Sequence, residues 1–170
     1  MINQFKYAFT TVNPQFNREI IISAGIAKPQ KDNHNIEVKQ YNALWDTGAT
    51  NSVVTSKVVE DLGLIPIGFT KVNHAGGTNN VPVYLVNIAL PNKIIIPNIR
   101  VSQCADQAGR FDIIIGMDII SLGDFSISGQ GNRRMVSFCL PSMITLDYVD
   151  LANQHNEKLA EKLKPKQKED

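Results

Sequence analysis

Apolar residues along this chain of 170 residues recur mainly at every second position, in short runs that turn-forming residues separate. A period of two places alternate side chains on the two faces of a half-buried strand. The pattern therefore predicts an all-β fold. The predicted strands run from Phe5 to Phe9, Arg18 to Ile26, Ile36 to Trp45, Ser52 to Thr55, Val83 to Leu90, Lys93 to Ile96, Ile99 to Ser102, Phe125 to Ser128 and Met135 to Leu140.

Glycines mark two predicted hairpins between neighbouring strands. A strand through Val72 reaches the pair Gly76-Gly77, and the chain then returns through Val83. Two adjacent residues without a Cβ suit a tight hairpin turn, because both can adopt positive φ. The stretch from Gly129 to Asn132 separates the last two strands in the same way.

Helical signals are few and short. Thr55 or Ser56 can cap a helix that runs to Leu62, and Gly63 stands where a left-handed residue ends a helix. The segment from Ser142 to Leu163 carries apolar residues at loosely helical spacing, which predicts a C-terminal helix. We therefore predict one domain over residues 1–145 and a helical or flexible charged tail over residues 146–170.

Composition limits the classes of partner and the cellular compartment that we expect for this chain. A formal net charge of +1 provides no strong field to attract nucleic acid or anionic lipid. Pro, Asn and Lys interrupt every apolar run before it reaches membrane-spanning length, and the first residues show no signal-peptide pattern. We expect a soluble cytoplasmic protein. Cys104 and Cys139 have no metal-binding or redox spacing, so two buried thiols are expected, although a disulfide remains an alternative.

The run Asp46-Thr47-Gly48 is the strongest candidate for chemistry, since it directly follows a predicted strand that ends at Trp45. A glycine permits close approach of a second backbone, and a threonine hydroxyl can form a hydrogen bond across the junction. Two carboxylates brought together cannot both ionise easily, so they share a proton and can act on one water. The chain has one such run, so a second carboxylate would come from a second copy. An isolated Asp-Thr-Gly also suits an ordinary turn.

The run from Leu44 to Ser52 resembles the active-site segment of the retropepsin-like aspartic proteases, the single-domain dimeric relatives of the pepsins. Ile113 to Gly116 resembles the apolar-apolar-Gly segment of that family, about 70 residues after the catalytic Asp. The short helix that follows it in the family has its counterpart at Asp118 to Leu122, and the glycine-rich hairpin occupies the position of the family's mobile flap. The resemblance implies a retropepsin-like acid protease barrel with one or two short helices, half of a pepsin-like two-fold architecture.

The resemblance implies an aspartic-type endopeptidase, a hydrolase that acts as a homodimer on an extended peptide or protein substrate. Asp46 of each copy would be catalytic, with Thr47 and Gly48 supporting the active site. No metal and no organic cofactor are implied. The residues implied to line the substrate cleft are Ala49, Ala75, Gly76, Gly77 and Thr78.

Two other functions remain open. The chain could be a catalytically silent peptide-binding or dimerisation module, although a binder has no need for facing carboxylates, which are costly to bury. It could instead process a polyprotein of a mobile element, which is the same chemistry in another setting.

Three further residues have simpler interpretations than catalysis. Trp45 precedes the candidate Asp and is interpreted as core packing. Asp118 is expected to have a structural role at the start of its helix, where the N-terminal amides and dipole favour a carboxylate. His74, beside the predicted hairpin tip, is interpreted as solvated.

Overall fold

The computed structural model describes residues 5–13, 18–29, 37–74, 77–105, 109–129 and 133–163. Ten strands and three helices form in these residues. The elements are β1 (Tyr7–Asn13), β2 (Ile21–Ala27), β3 (Lys39–Trp45), β4 (Val53–Thr55), α1 (Ser56–Leu62), β5 (Gly68–His74), β6 (Gly77–Leu90), β7 (Ile94–Cys104), β8 (Ile113–Ile115), α2 (Met117–Ile120), β9 (Asp124–Ser128), β10 (Arg134–Leu140) and α3 (Tyr148–Leu163).

Six strands close into a barrel in the order β2-β3-β8-β4-β7-β6, because β6 pairs with β2 as well as with β7. Strand β5 extends this sheet from β6 as one half of a hairpin. The strands β1, β10 and β9 form a separate antiparallel sheet of three. With the two short helices α1 and α2, this architecture confirms the predicted all-β barrel.

The core fills the barrel with branched aliphatic side chains, and an aromatic cluster joins it to the smaller sheet. Trp45 is 5 % exposed and stacks on Phe125, with ring centroids 5.4 Å apart. Phe138 and Phe9 meet the edges of the same indole at 5.2 and 5.8 Å. Stacked and edge-to-face pairs at these distances are favourable. Trp45 is therefore a core residue, as predicted.

The predicted break between two strands at residues 96–99 was wrong. Strand β7 continues from Ile94 to Cys104 through Pro97. A bulge accommodates the proline: two residues, Pro97 and Asn98, stand opposite Asn87 of β6. Asn98 takes a φ of 57°, and its N–H donates to Asn87 Oδ1 at 2.9 Å. An irregularity of this kind depends on the partner strand, so the sequence around Pro97 alone indicates a break.

Several predicted boundaries differ by a few residues. Strand β1 begins at Tyr7 rather than Phe5, and β2 begins at Ile21 rather than Arg18. Strand β3 begins at Lys39, and Ile36 lies outside the described residues.

Helix α1 ends as predicted at Gly63, which has a φ of 54°. The start of the helix differs from the prediction. Thr55 occupies the N-cap position, but its side chain forms no capping hydrogen bond, and its Oγ1 has no partner among the described residues. Neither cysteine forms a disulfide. Cys139 is buried but Cys104 is half-buried, so the predicted burial of both thiols was correct for Cys139 and wrong for Cys104.

The C-terminal helix is shorter than predicted, since it begins at Tyr148 and not near Ser142. The carboxylate of Asp124 holds the preceding segment in a non-helical form by accepting bonds from the Ser142 hydroxyl and the amides of Met143 and Ile144. These bonds hold the pKa of Asp124 below its ordinary value; the bond from the Ser142 hydroxyl contributes most, followed by the bonds from the two amides.

The domain boundary at residue 145 stays a prediction. Within the described part of the chain, no helix combines the length and apolarity needed to cross a membrane.

Candidate active site

Asp46 lies where β3 ends, alongside a second chain segment that runs in the same direction. Strands β3 and β8 are parallel, and Trp45 stands opposite Ile115. The Asp46 N–H donates to Ile115 O at 3.0 Å, which continues this pairing past the strand end. Asp46 is therefore placed beside Gly116, by a contact between segments far apart in the sequence.

The turn that follows orients the Asp46 carboxylate. The Gly48 N–H donates to Asp46 Oδ1 at 2.8 Å, and the Ala49 N–H donates to Asp46 O at 3.2 Å. A Cβ on Gly48 would lie 3.1 Å from Asp46 Oδ1, a contact tighter than nine in ten real Cβ contacts. Gly48 thus allows its own amide to approach the carboxylate. The side chain of Asp46 is half-buried, while Thr47 and Gly48 are exposed and Ala49 is half-buried.

The chain after β8 crosses directly against this turn. The Met117 N–H donates to Ala49 O at 2.8 Å, and the Asp118 N–H donates to Thr50 O at 3.1 Å. At Gly116 a Cβ would lie 2.7 Å from Asn51 C and 2.9 Å from Ala49 O. Because these are backbone atoms, a side chain at residue 116 would displace the turn. Gly116 is therefore required by the crossing itself.

Hydrogen bonds between Ser52 and Asp118 also join the two segments. Ser52 is completely buried. Its N–H donates to Asp118 Oδ2 at 3.0 Å and its hydroxyl donates to Asp118 Oδ1 at 2.8 Å. The same hydroxyl accepts from the Gly116 N–H at 3.1 Å. Charge-assisted bonds of this kind are among the stronger hydrogen bonds in proteins.

These bonds give Asp118 the structural role that was predicted. The predicted contact was with the first turn of its own helix, whereas the structure adds a contact with Ser52. Its carboxylate binds Ser52, which precedes β4, in addition to lying in the first turn of α2. Sequence reasoning missed Ser52 as a supporting residue. Only its place at the end of the Asp46 run could have drawn attention to it, since no spacing pattern relates it to Asp118.

Comparison with known proteins identifies the family. The family model described as "gag-polyprotein putative aspartyl protease" matches residues 33–121, just over half of the chain. The chain belongs to this family. No curated protein matches it.

One solved structure shares the fold of this chain, and two others are similar to it over part of their length. The crystal structure of a retropepsin-like aspartic protease from Rickettsia conorii has 15 % sequence identity and a TM-score of 0.51, with 82 % of this chain and 98 % of that chain covered. The EIAV protease complexed with the inhibitor HBY-793 has 21 % identity and a TM-score of 0.48, covering 61 % of this chain and 86 % of that one. The solution structure of simian foamy virus (mac) protease has 18 % identity and a TM-score of 0.42, covering 60 % and 92 %.

Replacing Asp118 with Ala is expected to loosen the turn that carries Asp46. The change leaves the buried amide and hydroxyl of Ser52 without their acceptor, which costs about 1–3 kcal/mol. Urea unfolding monitored by Trp45 fluorescence measures the loss. Asp118→Asn, which keeps one acceptor oxygen, should recover part of the stability. Asp150→Ala on the exposed helix α3 is the control; an equal loss in that variant would remove the special role of Asp118.

The predicted flap corresponds to the hairpin of β5 and β6, in which His74 stands opposite Gly77. Gly77 is exposed with a φ of 124°, and Thr78 is exposed beside it. Ala75 and Gly76 lie outside the described residues, as does the side chain of His74. The hairpin itself was predicted correctly, but Gly77, which was predicted to lie in the turn, is the first residue of β6. That its tip and Ala49 line a substrate cleft stays a prediction.

Within the parts of the chain that the structure describes, no three His, Cys, Asp or Glu side chains lie together as a metal site would require. The arrangement around Asp46 instead presents one oriented carboxylate at the end of a strand, next to exposed Thr47. Such a group can accept a proton or hydrogen-bond a water. It becomes an acid–base pair only when a second carboxylate is brought to it.

Proposed function

We propose that this protein is an aspartic endopeptidase in which Asp46 residues from two copies act on one water. The observation that carries the proposal is the Asp46 turn itself. Its carboxylate is oriented by the Gly48 amide, and backbone bonds to Ile115, Met117 and Asp118 hold the turn in place. Membership of an aspartyl protease family supports the same chemistry.

The reaction follows from a pair of carboxylates that share one proton. The ionised member takes a proton from the water as the water oxygen bonds to the peptide carbonyl carbon, and the protonated member donates to the carbonyl oxygen. The resulting tetrahedral intermediate then breaks its C–N bond, while a proton passes to the leaving amine.

The second carboxylate is proposed to come from a second copy because the sequence has one Asp-Thr-Gly. Asp118, the acidic residue next to this turn, already accepts two bonds from Ser52. A two-fold axis near Asp46 would place exposed Thr47 of each copy where its hydroxyl can bind across the interface. Gly48, also exposed, would permit the close approach.

The substrate is proposed to be an extended peptide that forms backbone bonds between the turn and the β5–β6 hairpin. Ala49 would line one side of the cleft, and residues 75–78 would line the other. The protease domain is proposed to end near residue 145, before α3. A silent peptide-binding or dimerisation module is the alternative, and loss of activity on substitution of Asp46 separates the two. Processing of a polyprotein would be the same chemistry on a particular substrate.

Peptidase activity should depend on assembly, since one chain supplies half of the pair. Specific activity is expected to fall when the protein is diluted through the dissociation constant of the dimer. Adding an excess of the Asp46→Asn variant to a fixed amount of wild type should also lower activity, because mixed dimers carry a single carboxylic acid. An equal excess of Asp150→Asn, with Asp46 intact, is the control and should not lower it. Activity per chain that is unchanged by dilution and by the inactive variant would contradict a shared site.

A further inference from the structure

Helix α3 presents an apolar stripe that the barrel does not cover. None of its 16 residues is buried. At 100° per residue, four apolar side chains fall on one face together with His155, at steps of three or four residues. Tyr148 is 63 % exposed, Leu159 47 % and Leu163 73 %. The stripe consists of Tyr148, Ala152, His155, Leu159 and Leu163.

The stripe matches itself when the helix is reversed. A two-fold axis between His155 and Asn156 places Tyr148 of one helix opposite Leu163 of the other. The same axis places the large Leu159 opposite the small Ala152, so that the surfaces interdigitate. Every apolar position in the stripe therefore meets an apolar position of an identical antiparallel helix.

The charges at the two ends of α3 favour the same arrangement. Asp147 carries a negative charge at the start of the helix, where its Oδ1 accepts from the Val149 N–H at 2.8 Å. Lys158 and Lys162 flank the stripe in the second half of the helix. Antiparallel pairing brings Lys162 near Asp147 of the other copy, whereas parallel pairing would place like charges side by side. The two helix dipoles also oppose each other in the antiparallel pair.

We propose that α3 is a dimerisation element that pairs antiparallel with α3 of a second copy of this chain. A membrane surface fits the helix less well, because its acidic residues Asp150, Glu157 and Glu161 outnumber its two lysines. Two helices of this length bury less than a stable interface needs. The pairing thus strengthens a dimer that has a second contact, and in this respect the inference rests on the proposed function.

Sedimentation of the full chain with a matched pair of variants tests the pairing. Leu159→Glu places a charge in the stripe, and Gln154→Glu places the same charge on the helix outside it. We expect Leu159→Glu to raise the dimer dissociation constant by about tenfold or more, and Gln154→Glu to change it by less than about twofold. Circular dichroism checks that both variants remain folded. Equal dissociation constants for the two variants, or a wild type that stays monomeric, would overturn the proposal.

Disulfide trapping tests the direction of pairing. In the antiparallel pair residue 152 faces residue 159 of the other copy, while the two copies of residue 152 are about 10 Å apart along the axis. Mild oxidation should therefore cross-link the double variant Ala152→Cys/Leu159→Cys but not Ala152→Cys alone, with the wild type showing the background from its two native thiols. Cross-linking of the single variant to the same extent would instead indicate parallel helices and overturn the antiparallel arrangement.

Two further measurements separate this inference from the proposed function. Asp46→Asn should sediment as the wild type does, because the change removes a charge and no apolar contact. Loss of dimer in Leu159→Glu from a chain that shows no peptidase activity would support the helix pairing and reject the protease. Peptidase activity together with unchanged dimerisation of Leu159→Glu would support the protease and reject the helix pairing. A monomeric wild type that sediments with vesicles of anionic lipid through Leu159 would assign the stripe to a membrane.

Discussion

Replacing Asp46 with Asn is expected to lower kcat for peptide hydrolysis by about 10²–10⁴-fold, the usual contribution of a general acid–base. The amide has nearly the same shape as the carboxylate, and its oxygen can still accept the Gly48 N–H that Asp46 Oδ1 accepts at 2.8 Å. The fold should therefore persist while proton transfer is lost. Turnover of a fluorogenic peptide, measured beside thermal unfolding, gives both quantities for the same samples.

The control for this variant is Asp150→Asn, which makes the same chemical change on the exposed helix α3. It should keep full activity. Asp46→Asn activity within a few-fold of wild type would exclude Asp46 as the acid–base and favour the silent binding module. A variant that has lost its folded structure as well would show instead that the Asp46 carboxylate is needed for the turn.

Gly116→Ala is expected to have the second largest effect. The added Cβ would lie 2.7 Å from Asn51 C and 2.9 Å from Ala49 O, so the Asp46 turn must shift. Overpacking of this kind costs about 1–3 kcal/mol of stability. A displacement of about 1 Å at a catalytic group can lower turnover by about 10²-fold. Urea unfolding and peptide hydrolysis measure the two effects separately.

Gly68→Ala provides the matched comparison. A Cβ at Gly68 would have no atom within 4 Å, and no positive φ constrains this glycine. It should change stability and activity little. If Gly116→Ala behaved like Gly68→Ala, the close crossing of the two segments at the Asp46 turn would be wrong.

Features set by neighbouring residues were predictable from the sequence. Gly63 ends α1 and Gly129 leads out of β9, because positive φ and turn chemistry are local properties. The alternation of apolar residues likewise predicted most strands, and the large aromatic side chain of Trp45 indicated its burial. The order of the Asp46 run and the Ile113 segment was informative only through the family resemblance.

Features set by distant partners were not predictable in this way. Ser52 and Asp118 are 66 residues apart, and no periodicity in either segment predicts the hydrogen bonds between them. The continuation of β7 through Pro97 depends on how Asn87 of β6 accommodates the bulge. The helix α3 begins late because Asp124 accepts bonds from the segment before it, a contact between a strand and a loop.

The parallel pairing of β3 with β8 also governs when the Asp46 turn can form during synthesis. Asp46 is translated well before its backbone partner Ile115 and the crossing residue Gly116. A nascent chain that has not yet released Gly116 from the ribosome contains Asp-Thr-Gly without the contacts that orient it. Closing so long a loop is a late and entropically costly step of folding. The oriented Asp46 turn therefore forms only after most of the barrel has emerged from the ribosome.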